Sequence, residues 1–233
     1  MLPVQRPELD AVYRQTVGKH VRTVCVTAAN AGEGVSTLAL ALARRGAASG
    51  LRTLLIDGNL PQPSISARFG LRPAPWSPAE GSAAGAIVLA ESGRLSVLPA
   101  PAAIDLLALR DTDQWRRMLE RDLADYDLIV VDASPVNDLD ERSVPTESIA
   151  AACAATVLVV LTGATSERSV RAAVERLTMA GATLCGAVFN DRDHRRLADE
   201  LCRRLDRFAW LAPRLVRRLK HRIGTNATLN FQP

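Results

Sequence analysis

The sequence predicts an α/β fold: a doubly wound, mostly parallel sheet with helices on both faces. Three observations predict it. Six short runs rich in β-branched and aliphatic residues recur along the chain, helical patterns separate them, and each run is apolar throughout rather than alternating. Strands of that kind belong to sheets buried on both sides. The runs are RTVCVTA (22–28), RTLLID (52–57), RLSVLPA (94–100), YDLIVVDAS (126–134), ATVLVVLTG (155–163) and ATLCGAVFN (182–190). Helices are expected over 36–48, stopped near Gly50, over 113–124 and over 166–179. The proline-rich stretch 72–85, with Pro73, Pro75 and Pro78, reads as an irregular excursion on the surface.

Composition bounds the rest. With 48% hydrophobic and 23% charged residues the chain is ordinary for a globular protein. Its longest apolar run, TVLVVL, is far short of the ~20 residues of a membrane span. The start MLPVQRPELD has no apolar core for a secretion signal, so a cytoplasmic location is expected. Cys25, Cys153, Cys185 and Cys202 are scattered without a C-x-x-C pair, which argues against zinc or a disulfide framework. Residues 192–222 carry eleven Lys/Arg against four acids, so a net charge of +4 hides a slightly acidic remainder. No repeat divides the chain. The expected organisation is a helical segment at 1–20, one main domain at 21–212 and a basic tail at 213–233.

The residues carrying chemistry begin at NAGEGVST, residues 30–37. A glycine turn between a strand and a helix offers backbone N–H groups and a positive helix end to an anion. Gly32 and Gly34 suit the positive φ of such a turn. Ser36 stands where a hydroxyl binds magnesium, and Gly32, Glu33, Gly34, Val35, Ser36 and Thr37 form the candidate cradle. Two acids end strands: Asp57 in LLIDGN and Asp132 in IVVDASP. Carboxylates at such ends hold a hydrated metal ion or orient a nucleophile, although either alone also suits a loop cap. Ser36, Asp57 and Asp132 are therefore the candidate metal ligands. Asp57 and Asp132 are at most vestigial catalytic groups.

With these residues in place, 8–193 resembles the bacterial tyrosine kinases (BY-kinases), cytoplasmic partners of polysaccharide co-polymerases. They sit within the deviant-Walker P-loop NTPase group that includes ParA and MinD. TAANAGEGVST is similar to the family's phosphate loop, LLIDGNLPQPSI to its second motif, and FGL, LSVLPA, YDLIVVDASPV and GAVFND follow in the family's order. The resemblance implies ATP or ADP with Mg2+ as cofactors. It also implies that Asn190 reads an adenine edge, where a plain strand-end turn is the competing reading.

The departures fall on chemistry. Val35 replaces the lysine that bridges the terminal phosphates, which removes one or two charge-assisted hydrogen bonds of about 1.5–3 kcal/mol each. Only Lys19 and Lys220 could supply another ammonium. Asn59 replaces a second-motif aspartate, and Pro61 or Gln62 an arginine. The family's tyrosine-rich tail is absent here, since Tyr13 and Tyr126 are the only tyrosines. Of the family's Glu-x-x-Arg-x-x-Arg oligomerisation helix, Ala11, Arg14 and Val17 keep only the central arginine. Three losses together point to a catalytically silent relative that binds nucleotide weakly or not at all.

Towards the carboxyl end, Leu197, Leu201, Leu205 and Phe208 make one stripe and Leu215, Val216 and Leu219 a second beyond Pro213. The first suits packing on the sheet. The basic stretch 214–222 suits the inner membrane surface or a membrane-embedded partner, and nucleic acid is not expected. Three readings follow: a BY-kinase-like regulator or scaffold of a polysaccharide co-polymerase, an active tyrosine kinase or ATPase of the same pathway, or a ParA/MinD-like positioning ATPase.

Overall fold

The fold was analysed in a computed structural model, which describes residues 7–19, 21–79, 81–91, 93–102, 105–138 and 144–192. The expected tail at 213–233 with its basic stretch 214–222 and Lys220, and both leucine stripes, lie outside them.

The six apolar runs form strands β1 (Thr23–Ala28), β2 (Thr53–Gly58), β4 (Leu95–Leu98), β5 (Leu128–Ala133), β6 (Ala155–Leu161) and β7 (Leu184–Asn190). A seventh, β3 (Val88–Glu91), was not legible in the sequence. The sheet order is β3-β4-β2-β5-β1-β6-β7, parallel except for the antiparallel β3–β4 pair.

Strand periodicity sorts the side chains into two cores. Cys25, Leu54, Ile56, Ile129, Val131 and Leu158 face one side. Their neighbours Val24, Val26, Leu55, Val130 and Val157 face the other. With both faces buried in β1, β2, β4, β5 and β6, no polar alternation survives in those strands, which is why they read as continuous apolar runs.

Helix α1 (Pro7–Gln15) and helix α2 (Val35–Ala48) bury residues in the second core. In α2, Leu38, Ala39, Leu42 and Ala43 supply the apolar stripe. Gly46 lets the helix approach closely, since a Cβ there would lie 2.5 Å from Leu128 Cδ2. Arg45 ties α1 to α2 by an ion pair to Asp10 at 2.6 Å and by lying 4.9 Å from the Tyr13 ring centre. The first core is covered by residues of α5 (Thr112–Arg117), α6 (Thr146–Ala152) and α7 (Glu167–Met179). Two further short helices, α3 (Ser64–Arg68) and α4 (Leu106–Arg110), complete the set.

The helix expected over 113–124 instead passes from α5 into a π-helical turn, Met118–Asp122. The carbonyls at and after that turn find a donor in Arg22, whose guanidinium reaches Leu119 O, Leu123 O and Tyr126 O at 2.6–3.0 Å.

The excursion after α3 is irregular, as expected, but it is not wholly on the surface. Trp76 is buried, donates from Nε1 to Pro99 O at 2.7 Å, and meets Trp115 edge to face at 6.2 Å. The prolines deny the segment a ladder, and the indole anchors it instead. Among the described residues, no helix is long and apolar enough to cross a membrane.

Candidate functional site

The predicted residues converge at the carboxyl edge of the sheet, where α/β proteins place ligands. The loop 29–34 follows β1, Asp57 nearly ends β2, Asp132 nearly ends β5, and Asn190 ends β7. Asp57 and Asp132 are register partners on adjacent strands, so their backbones are held side by side.

The loop has the shape the glycines predicted. Gly32 has φ +80° and Gly34 φ +103°, both left-handed. No side chain caps the start of α2, so its first N–H groups are presented as an anion cradle would present them. The far side of the loop is tied down. Glu33 is only 3% exposed, and its Oε1 accepts from Asn30 Nδ2 at 2.8 Å and from Thr165 Oγ1 at 2.6 Å. Asn190 donates from Nδ2 to the Glu33 carbonyl at 2.8 Å. A Cβ on Gly34 would meet that same nitrogen at 2.5 Å, so position 34 needs glycine for space as well as for φ. Asn190 thus holds the loop in this structure.

Val35 begins α2 with 8% exposure and belongs to the apolar core on that face. Lys19 lies before β1, at the opposite end of the strand from the loop.

The acids beneath the loop are fully buried. Asp57 Oδ2 accepts from the Ser66 backbone N and from Ser66 Oγ, both at 2.7 Å, and Oδ1 has no partner. Ser66 Oγ in turn accepts from Ala100 N at 3.0 Å. Neither oxygen of Asp132 has a partner. Burial drives the Asp132 pKa up to about 8; the Asp57 charge adds to the rise. The Ser36 hydroxyl pulls it down in part, through a contact too loose to count as a full hydrogen bond. Burial raises Asp57 as well, against the Ser66 hydrogen bonds. Ser36 Oγ accepts from Ser64 Oγ at 2.7 Å. Thr37 is exposed on the next position of α2. Asn59 Oδ1 accepts from Ser134 Oγ at 3.2 Å, a contact between neutral groups.

Sequence reading therefore found the loop and both acids but missed Ser64, Ser66 and Thr165. Their hydroxyls carry no motif, and Thr165 meets Glu33 only because the sheet joins residues 132 apart in sequence. Ser66→Ala is expected to lower stability by about 1–3 kcal/mol, since it removes the hydroxyl hydrogen bond to Asp57 Oδ2, leaving only the Ser66 backbone N–H on that oxygen, and orphans the Ala100 N–H; urea denaturation measures it.

The donor set fits a hard divalent cation: buried carboxylate oxygens without partners beside a serine hydroxyl. Among the described residues no group of three or more His, Cys, Asp or Glu is placed to hold a metal, so the acids act as a pair. The fit to a triphosphate is incomplete, because the aliphatic side chain of Val35 offers the terminal phosphates no donor.

A scan against models of known protein families matches none. Among individual proteins, the chain is 28% identical over 192 residues to tyrosine-protein kinase CpsD of Streptococcus pneumoniae, covering 77% of this chain and 80% of the relative. It is 26% identical over 186 residues to tyrosine-protein kinase YwqD of Bacillus subtilis strain 168, covering 76% and 75%. Its fold is similar to the chimerical protein CapA2B2, with TM-score 0.68, 21% identity and coverage of 80% and 85%. The BceF tyrosine kinase domain gives TM-score 0.62, 24% identity and coverage of 78% and 74%. Cobyrinic acid a,c-diamide synthase from Mycobacterium smegmatis, solved with ADP and magnesium, gives TM-score 0.59, 20% identity and coverage of 72% and 73%. The chain is thus similar in sequence to tyrosine-protein kinases, and it shares the mostly parallel, helix-covered sheet of the P-loop NTPase fold with the BY-kinase domain structures.

Proposed function

We propose that the chain is a BY-kinase-like protein of exopolysaccharide, capsule or adhesin export that works by binding rather than by phosphoryl transfer. In this reading it is a cytoplasmic regulator or scaffold, peripheral at the inner face of the membrane, for a membrane-embedded polysaccharide co-polymerase. Val35 carries the reading: an aliphatic side chain, packed in the core, begins the helix at the point where phosphoryl transfer needs an ammonium. The scarcity of tyrosine and the loss of all but Arg14 from the assembly helix support it. Binding of a structural nucleotide would use the backbone cradle and Ser36, which do not depend on residue 35.

The test incubates the full chain with ATP and Mg2+ and follows both phosphate release and protein phosphorylation. It then measures capture by the cytoplasmic segments of a polysaccharide co-polymerase. The expected result is capture without turnover. Turnover that disappears in Asp57→Asn would overturn the reading and establish an active kinase or ATPase.

A further inference from the structure

We propose that β7 is a self-association edge: two copies of the chain pair their β7 strands antiparallel about a two-fold axis, and the sheet runs on from one copy into the other.

The two edges of the sheet differ. β3 is four residues long, its pairing with β4 is interrupted by a register shift between Leu89 and Glu91, and Arg44 Nε donates to Glu91 at 2.9 Å. Shortness, a bulge and a charge are devices that keep an edge from pairing. β7 has seven residues, LCGAVFN, with no charge and no proline. Its one irregularity falls at the start, opposite Thr156 and Val157, and leaves 186–190 as a regular run. Among the described residues that run ends the sheet, so it offers a row of N–H and C=O groups to another strand.

The strand also complements itself. Val188 packs in the second core, so Ala187 and Phe189 project on the face that α7 covers. Phe189 is 72% exposed there. An antiparallel pair centred on Val188 sets each Phe189 across from the second copy's Ala187, a large side chain on a small one. The axis of such a pair is perpendicular to the sheet, so both copies of α7 lie on one face, antiparallel to each other.

On α7, Arg176 pairs with Glu147 of α6, while Ala173 and Leu177 face the sheet. The flank away from α6 therefore carries Arg171 and Val174, with Glu175 beside them. Ala173 lies about 9 Å back along the helix from Met179, and Val188 lies about 10 Å along the strand from Leu184. One axis thus serves both elements and brings Arg171 of each copy opposite the second copy's Glu175. A strand pair alone buries less than the roughly 1,000 Å2 of a specific interface, and the helix flank adds to it.

Sedimentation velocity and light scattering on the full chain test the proposal. The expected mass at high concentration is twice the 25.0 kDa of one chain. Phe189→Lys, at an exposed position, should weaken the dimer about tenfold or more without changing the melting temperature. Arg171→Glu and Glu175→Arg should each weaken it, and the two reversals together should restore it. Amide exchange at 186–190 should slow as concentration rises. A chain that stays monomeric at every concentration, or a dimer indifferent to Phe189→Lys, would overturn the proposal. So would protection of 186–190 in the dilute monomer, which would assign the edge to a segment of the same chain.

Discussion

Val35→Lys raises the affinity for ADP·Mg2+ and ATP·Mg2+ by about ten- to ten-thousand-fold in calorimetry, from native binding that is weak or absent. The range is that of one or two charge-assisted hydrogen bonds at about 1.5–3 kcal/mol each. The rest of the cradle is already built: left-handed Gly32 and Gly34, an uncapped start to α2, and Glu33 tied to Asn30, Thr165 and Asn190. The new side chain is tolerated because its methylene stem covers the apolar surface that Val35 covers now, while the ammonium extends towards the loop. Affinity gained without turnover would leave the lost tyrosines and assembly arginines as separate obstacles. Micromolar affinity in the native chain, unchanged by lysine, would show that residue 35 is not the deficit.

The second large effect is on stability against pH. Asp132 has a folded pKa of about 8 against an ordinary value of 3.8. Between those values the native state holds a proton that the unfolded chain has released. Stability from this group is therefore full below about pH 4 and declines as pH rises towards 8, with a limiting slope of about 1.4 kcal/mol per pH unit. Asp57, also raised by burial, acts in the same direction. The other displaced groups leave the window from pH 5 to 8 alone. Asp111 and Asp127 are held low by the backbone N–H groups of Gln114 and Arg52, and the Cys25 and Cys153 thiols are pushed higher by burial. Urea melts should show the native chain losing stability from pH 5 to 8. Asp132→Asn should flatten that decline and be the more stable form at pH 8. A native chain that gains stability over the same interval would show that the carboxylates have a cationic partner.

What the sequence made legible follows from range and length. Strands β1, β2, β4, β5 and β6 were readable because each is a local buried run whose composition the two-sided core dictates, and β7 because its run of apolar residues is long although it is largely exposed. Strand β3 was not, because Val88 and Leu89 are exposed and its pairing with β4 is a tertiary event. Helices α3, α4 and α6, of five to seven residues, are too short to show a period. At the site, glycines and strand-end acids announce themselves by position in a pattern. Serines do not. Ser66 serves Asp57 through both its backbone and its hydroxyl, and the sequence between them gives no sign of it.

The indole pair gives the fold an internal optical label. Trp76 and Trp115 lie edge to face at 83°, close enough for their excited states to couple. One belongs to the proline-rich excursion and the other to a core helix. The coupling therefore reports whether that strap is seated, independently of backbone helicity.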